Sequence, residues 1–199
     1  MGAKHKHFVK TECFLFCVII IVMTSKLIIL RGPSASGKST VATELFKKAT
    51  RNTCLIEQDY YRFMFRPRDH GSKQNSATMH KMITNNVLTA LSDGYDVIAE
   101  GIFSTKSYAN DFNEIFRQHP TENYSYYFNV SLEETIRRHR TRPSRNTSTY
   151  TENDLRTFYN NEYGSIHDNE KIISEESSLD ETTEYIIETS NFCNDSFKT

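Results

Sequence analysis

Apolar residues fall into two alternating kinds of run along the chain. Short, nearly continuous runs over residues 26–30, 54–57, 95–99, 124–130 and 171–174 predict strands buried on both faces. Between them, apolar residues recur at helical spacing. Val41, Ala42, Leu45, Phe46 and Ala49 give an inward stripe to a helix over 39–51, and Met79, Met82, Ile83, Val87, Leu88 and Leu91 do the same over 78–92. A helix over 104–118 stops at His119-Pro120, because the residue before proline resists the helical conformation. Ser131-Leu-Glu-Glu134 reads as a capping box, Thr151-Glu-Asn-Asp154 opens a helix ending near Gly164, and Ser178-Leu-Asp-Glu181 caps a last one. The stretch QDYYRFMFRPRDHGSKQNS after the second strand predicts no element. Strands alternating with helices, without repeats, predict an α/β three-layer sandwich with a five-stranded parallel sheet covered on both faces.

The turn between the first strand and first helix carries chemistry. Gly32-Pro-Ser-Ala-Ser-Gly-Lys-Ser39 matches G-x-x-x-x-G-K-[ST] in full, in the strand–loop–helix setting the motif requires. Gly32 and Gly37 let the backbone curl so that successive N–H groups make an anion nest, and the helix N-terminus adds its positive end. Gly32, Pro33, Ser34, Ala35, Ser36, Gly37, Lys38, Ser39 and Thr40 are therefore expected around the phosphates of a nucleotide. Lys38 reaches the β- and γ-phosphates, and Ser39 offers its hydroxyl to Mg²⁺.

Such a loop specifies triphosphate binding, not the reaction. The chain has no N/TKxD or DxxG of a GTP-binding switch, and its third strand, YDVIAEGIF, ends in Glu100-Gly101 rather than in Asp-Glu. A small kinase is the leading class. In open α/β sheets ligands lie beyond the C-terminal strand ends, where Asp59 and Glu100 stand. Asp59 is the candidate base that orients an acceptor hydroxyl and takes its proton. Glu100 is a candidate for binding the acceptor or a Mg²⁺-bound water, and Arg62 for fixing the acceptor. The run RRHRTRPSR, residues 137–145, holds five arginines in nine positions. Arg138 and Arg142, four apart on one helix face, are the candidates for closing over the transferred phosphoryl as a lid spanning about 137–164.

Composition narrows the partners. With 24 basic and 25 acidic residues the formal charge is −1, so nothing global attracts nucleic acid or an anionic membrane. Cys13, Cys17, Cys54 and Cys193 form no metal-ligand spacing and read as free thiols. The apolar run Phe14–Met23 is about ten residues, half of what a spanning helix needs. Residues 1–22 are expected to be an extension outside the core, with Met23 an alternative start, 23–190 the catalytic domain, and 191–199 a frayed tail. The expected location is cytoplasmic, where ATP is available.

ILRGPSASGKST, LIEQDYY, DVIAEGIF and FNVSLEETIRRHRTRP, in this order, resemble the zeta-toxin-like and small-molecule P-loop kinases, which include chloramphenicol-phosphotransferase-like and nucleoside or gluconate kinase-like enzymes. The resemblance spans about residues 26–190. It implies a nucleoside-kinase-like core, ATP with Mg²⁺ as donor, and a lid bearing arginines. It also implies an acid after the second strand as base, matching Asp59, an acceptor-side acid matching Glu100, and adenine near residues 175–178. A second acid after Glu100 and a specificity signature in residues 62–76 are both lacking. The expected function is phosphoryl transfer from ATP to a hydroxyl of a small molecule. The alternatives are a nucleotide-dependent regulatory ATPase module and a nucleic-acid end kinase.

Overall fold

The structure is a computed structural model that describes residues 24–65, 73–120, 122–141, 151–159 and 164–193. The expected extension over 1–22, the alternative start Met23 and Arg142 lie outside these residues. Among the described residues twelve elements follow one another: β1 (Leu27–Arg31), α1 (Lys38–Lys48), β2 (Thr53–Glu57), α2 (Gln58–Phe63), α3 (Lys73–Ser92), β3 (Asp96–Gly101), α4 (Thr105–Gln118), β4 (Asn123–Asn129), α5 (Leu132–Thr141), α6 (Glu152–Phe158), β5 (Lys171–Ser174) and α7 (Leu179–Ser190). The five strands form one parallel sheet in the order β2-β3-β1-β4-β5.

The central strand explains the three layers. All five residues of β1 are buried, and alternate side chains serve opposite faces. Leu27 and Ile29 join Ile83, Val87, Phe112 and Ile115 of α3 and α4, whereas Ile28 and Leu30 join Val41, Leu45 and Ile186 of α1 and α7. Each fully buried aliphatic side chain of this kind contributes roughly 1.5–3 kcal/mol of transfer free energy.

Several element boundaries depart from expectation. The polar stretch after β2 contains α2, six residues long and too short to show a helical period. The next helix begins at Lys73 rather than 78. Pairing with the central strand carries β3 on through Glu100 and Gly101, opposite Leu30 and Arg31, against the weak strand propensity of both residues. Phe46, expected inward, is 43% exposed. At Ser131 only half a capping box forms. Its hydroxyl accepts from the Glu134 N–H at 3.3 Å, but its own N–H donates to Glu175 Oε2 at 2.7 Å, because Glu134 is engaged by arginines. The boxes at Thr151 and Ser178 are complete. Helix α6 ends at Phe158, well before Gly164, where the Tyr159 hydroxyl ties the chain to the Val130 carbonyl at 2.9 Å. The expected tail starts packed: Asn191 is the left-handed cap of α7 and Phe192 is buried.

Candidate active site

The loop between β1 and α1 has the backbone its glycines allow. Gly32 (φ 143°) passes so close to β4 that a Cβ would stand 2.7 Å from the Phe128 carbonyl oxygen. Gly37 (φ 103°) opens α1 in the left-handed region, and Ala35 (φ 62°) shares it, an alternation that curls N–H groups inward. Lys38 is buried and lies back across the loop, its ammonium donating to the Pro33 carbonyl at 2.7 Å and to Ser36 Oγ at 3.2 Å. These are the acceptors that an anion in the nest would replace.

Glu100, at the C-terminal end of β3, is 5% exposed and accepts a hydrogen bond from Ser39 Oγ at 3.0 Å. Burial raises its carboxyl above the ordinary range. The Lys38 ammonium and the Ser39 hydroxyl oppose that rise, and the nearby Asp59 and Glu57 carboxylates add to it. The sequence left Glu100 open between acceptor and cation, and the fold sets it against the serine expected to serve Mg²⁺. These are hard oxygen donors, suited to an ion that keeps several waters and binds through one or two protein oxygens plus phosphates. Among the described residues no cluster of three His, Cys, Asp or Glu side chains is placed to hold a metal.

Asp59 and Arg62 stand one turn apart on α2, with Arg62 Nη1 3.5 Å from Asp59 Oδ1, and Asp59 is 56% exposed. Next to Asp59 is Gln58, which sequence reasoning passed over. It is buried, accepts from the Ile102 N–H at 2.8 Å and donates to the Tyr108 hydroxyl at 2.7 Å. Gly101 makes this possible, since a Cβ there would meet Gln58 Oε1 at 2.7 Å. His80 stacks on Tyr108 at 3.9 Å, and its Nδ1 pairs with Asp111 Oδ2 at 2.7 Å. Tyr108 was hidden by its spacing with Phe112 and Ile115, which reads as ordinary core.

From α5, Arg138 reaches three groups. It donates to Glu134 Oε1 at 2.6 Å, the Ser36 carbonyl at 2.7 Å and the Glu175 carbonyl at 2.6 Å. It thereby joins α5, the phosphate loop and the turn after β5. It also borders a cavity of about 210 Å³ lined by Thr40, Val41, Phe128, Ile173 and Ser177. An apolar slot with a few hydroxyls beside the loop suits a purine ring, and it lies where residues 175–178 were expected to hold adenine.

A family model described as an AAA domain matches residues 27–160. The chain belongs to that family. No curated protein matches this AAA-domain chain. Its fold is that of the P-loop kinases. It is similar to the Mycobacterium tuberculosis APS kinase solved with AMPPNP and APS, at 17% identity and a TM-score of 0.64, covering 83% of this chain and 96% of that one. A gluconokinase from Sinorhizobium meliloti 1021 is similar at 14% identity and a TM-score of 0.61, covering 84% and 93%. A chain of the Pnkp1–Rnl–Hen1 RNA repair complex is similar at 22% identity and a TM-score of 0.53, covering 67% of this chain and 42% of that one. Among the described residues no helix of the AAA-domain chain is long and apolar enough to cross a membrane.

Proposed function

We propose that the protein is an ATP-dependent phosphotransferase moving the γ-phosphoryl group of Mg-ATP to a hydroxyl of a small-molecule acceptor. The observation that carries this reading is the contact of Glu100 with Ser39 at the phosphate loop, on a carboxylate that feels the charges of Lys38 and Asp59. That Ser39, Glu100 and Asp59 all follow or end strands at the C-terminal edge of the sheet supports the reading. Lys38 neutralises the β- and γ-phosphates, and Arg138 closes from α5 onto the same loop. Ser39 and Glu100 would hold Mg²⁺, which would supply positive charge against the negative charge developing on the phosphates. Asp59 receives the acceptor proton, and Arg62 fixes an anionic or hydroxyl-rich acceptor beside it.

The arginine-rich run supports a small acceptor over a nucleic-acid track. Arg137 is paired with Glu134 and Arg140 with Glu152, each through two short hydrogen bonds, so much of its charge is neutralised locally. A small acceptor, no nucleic acid, no membrane and a cytoplasmic location belong to the same proposal, as does a catalytic domain over 23–190 with its lid near 137–164. The test is incubation with Mg-ATP and a small-metabolite extract, followed by mass spectrometry for species gaining one phosphate. Asp59→Asn is expected to bind ATP normally and to lose the product, and normal turnover by that variant overturns Asp59 as base. No phosphorylated species from the unaltered protein shifts the reading to the regulatory ATPase module.

A further inference from the structure

Gln58 and Tyr108 form a buried pair whose hydrogen-bond polarity is imposed by the backbone. The Ile102 N–H donates to Gln58 Oε1 at 2.8 Å, so the other end of the carboxamide, Nε2, faces Tyr108 and donates to its hydroxyl oxygen at 2.7 Å. The hydroxyl receives from Gln58 and keeps its own hydrogen to give. Tyr108 and Gln58 are each 4% exposed. Among the described residues no acceptor takes that hydrogen, and leaving a buried donor unsatisfied is costly.

The ring is held as firmly as its polarity. His80 stacks on it at 3.9 Å with 15° between planes, and Asp111 fixes His80. Phe103 packs edge-on at 5.0 Å. Gln58 precedes Asp59 in sequence, and Arg62, four residues on, shares the Gln58 face of α2. The donor therefore lies beside the base and cation proposed for the acceptor. Burial pushes the phenol up to about 12, and Arg62, Asp111 and Asp59 are the charges that act on it. It stays protonated throughout the physiological range.

We infer that Tyr108 is an acceptor-binding residue. Its hydroxyl donates to an oxygen of the acceptor held against α2, with Gln58 as the positioning residue that aims it. With Arg62 alongside, the chemistry favours a polyhydroxylated acceptor carrying an anionic oxygen, carboxylate or phosphate, near the hydroxyl that is phosphorylated. A departure in the sequence, Gly101 where a second acid was sought, becomes the space that admits Gln58.

This inference rests on the kinase reading, and one experiment separates the two. The small-metabolite extract with Mg-ATP identifies a phosphorylated species made by the unaltered protein. The unphosphorylated parent is then titrated against Tyr108→Phe, which removes only the hydroxyl, and Gln58→Glu, whose carboxylate takes the tyrosine hydrogen and turns the donor away. Each variant is expected to lose about ten-fold in kcat/KM for the acceptor, the effect of one hydrogen bond at roughly a decade per 1.4 kcal/mol. The KM for ATP stays within about two-fold, since neither residue touches the phosphate loop. The two changes together cost no more than either alone, because both remove the same donor. Acceptor kinetics unchanged in Tyr108→Phe, in a protein that phosphorylates its acceptor, overturn the role of Tyr108. No product from the unaltered protein overturns the kinase reading itself.

Discussion

Glu100 shows at the scale of one residue how a site is assembled at an energetic disadvantage. A carboxylate that is 5% exposed is held against Ser39, and its raised proton affinity records the cost of burying charge. The sign of the linkage follows. A carboxyl bound more tightly to its proton in the folded state contributes stability that is fully present below its unfolded pKa, near 4.5, and lost as pH rises through the higher folded value. The ligand-free protein is thus expected to lose part of its melting temperature across that window, and Glu100→Gln to lose less. Thermal melts of both proteins from about pH 4 to 8 check this, and parallel profiles count against it. Mg-ATP should narrow the difference by supplying a cation. In turnover, Glu100→Gln is expected to fall on the order of a hundred-fold, as for loss of one preorganised electrostatic group, with ATP binding in EDTA unchanged.

At the scale of elements, Arg138 ties α5 to the phosphate loop and to the turn after β5. Arg138→Lys is expected to behave nearly like Arg138→Ala, each losing at least about a hundred-fold in phosphoryl transfer, because one ammonium cannot make the separate bonds to Glu134, Ser36 and Glu175. Full activity in Arg138→Lys, measured as acceptor-dependent ADP formation, would show that charge alone suffices. The elements also show what a linear reading can reach. The alternation of apolar runs carried the five strands and their parallel arrangement, because burial on both faces leaves a continuous signature in Leu27–Leu30. The phosphate loop was legible because its chemistry is local. What escaped depends on distant neighbours. Gln58, Tyr108 and His80 look like loop, core and surface until α2, α3 and α4 meet. Glu100 was named but left open between acceptor and cation until pairing with β1 carried β3 through it, beside Ser39. Half the capping box at Ser131 was lost to Glu175, forty-four residues away.

Across the whole molecule, one buried ion pair joins the phosphate-loop strand to the segment that leads into β5. Arg31, fully buried at the end of β1, donates through Nε and Nη2 to the two oxygens of Glu170 at 2.7 and 2.6 Å. It also donates to the Phe103 carbonyl at 3.3 Å and to the Gly164 carbonyl, and it stacks over Tyr127 at 4.9 Å. Glu170 accepts in turn from the Ser125 hydroxyl at 2.5 Å. The segment carrying Gly164 and Glu170 is further pressed onto the α3–α4 side by Ile166, and by His167 against Phe116. A charge this deep is tolerated because its partners surround it, so removing one partner strands the other. Arg31→Met and Glu170→Leu are each expected to destabilise by about 3–5 kcal/mol, lowering the melting temperature by roughly 10 °C for a chain of this size. The double replacement is expected to recover a good part of that loss, since no charge is left unpaired. Calorimetric melts of the four proteins measure the coupling. If the double variant is as unstable as the two single losses added together, the pair is not what holds the returning chain, and packing around Ile166 has to carry that role instead.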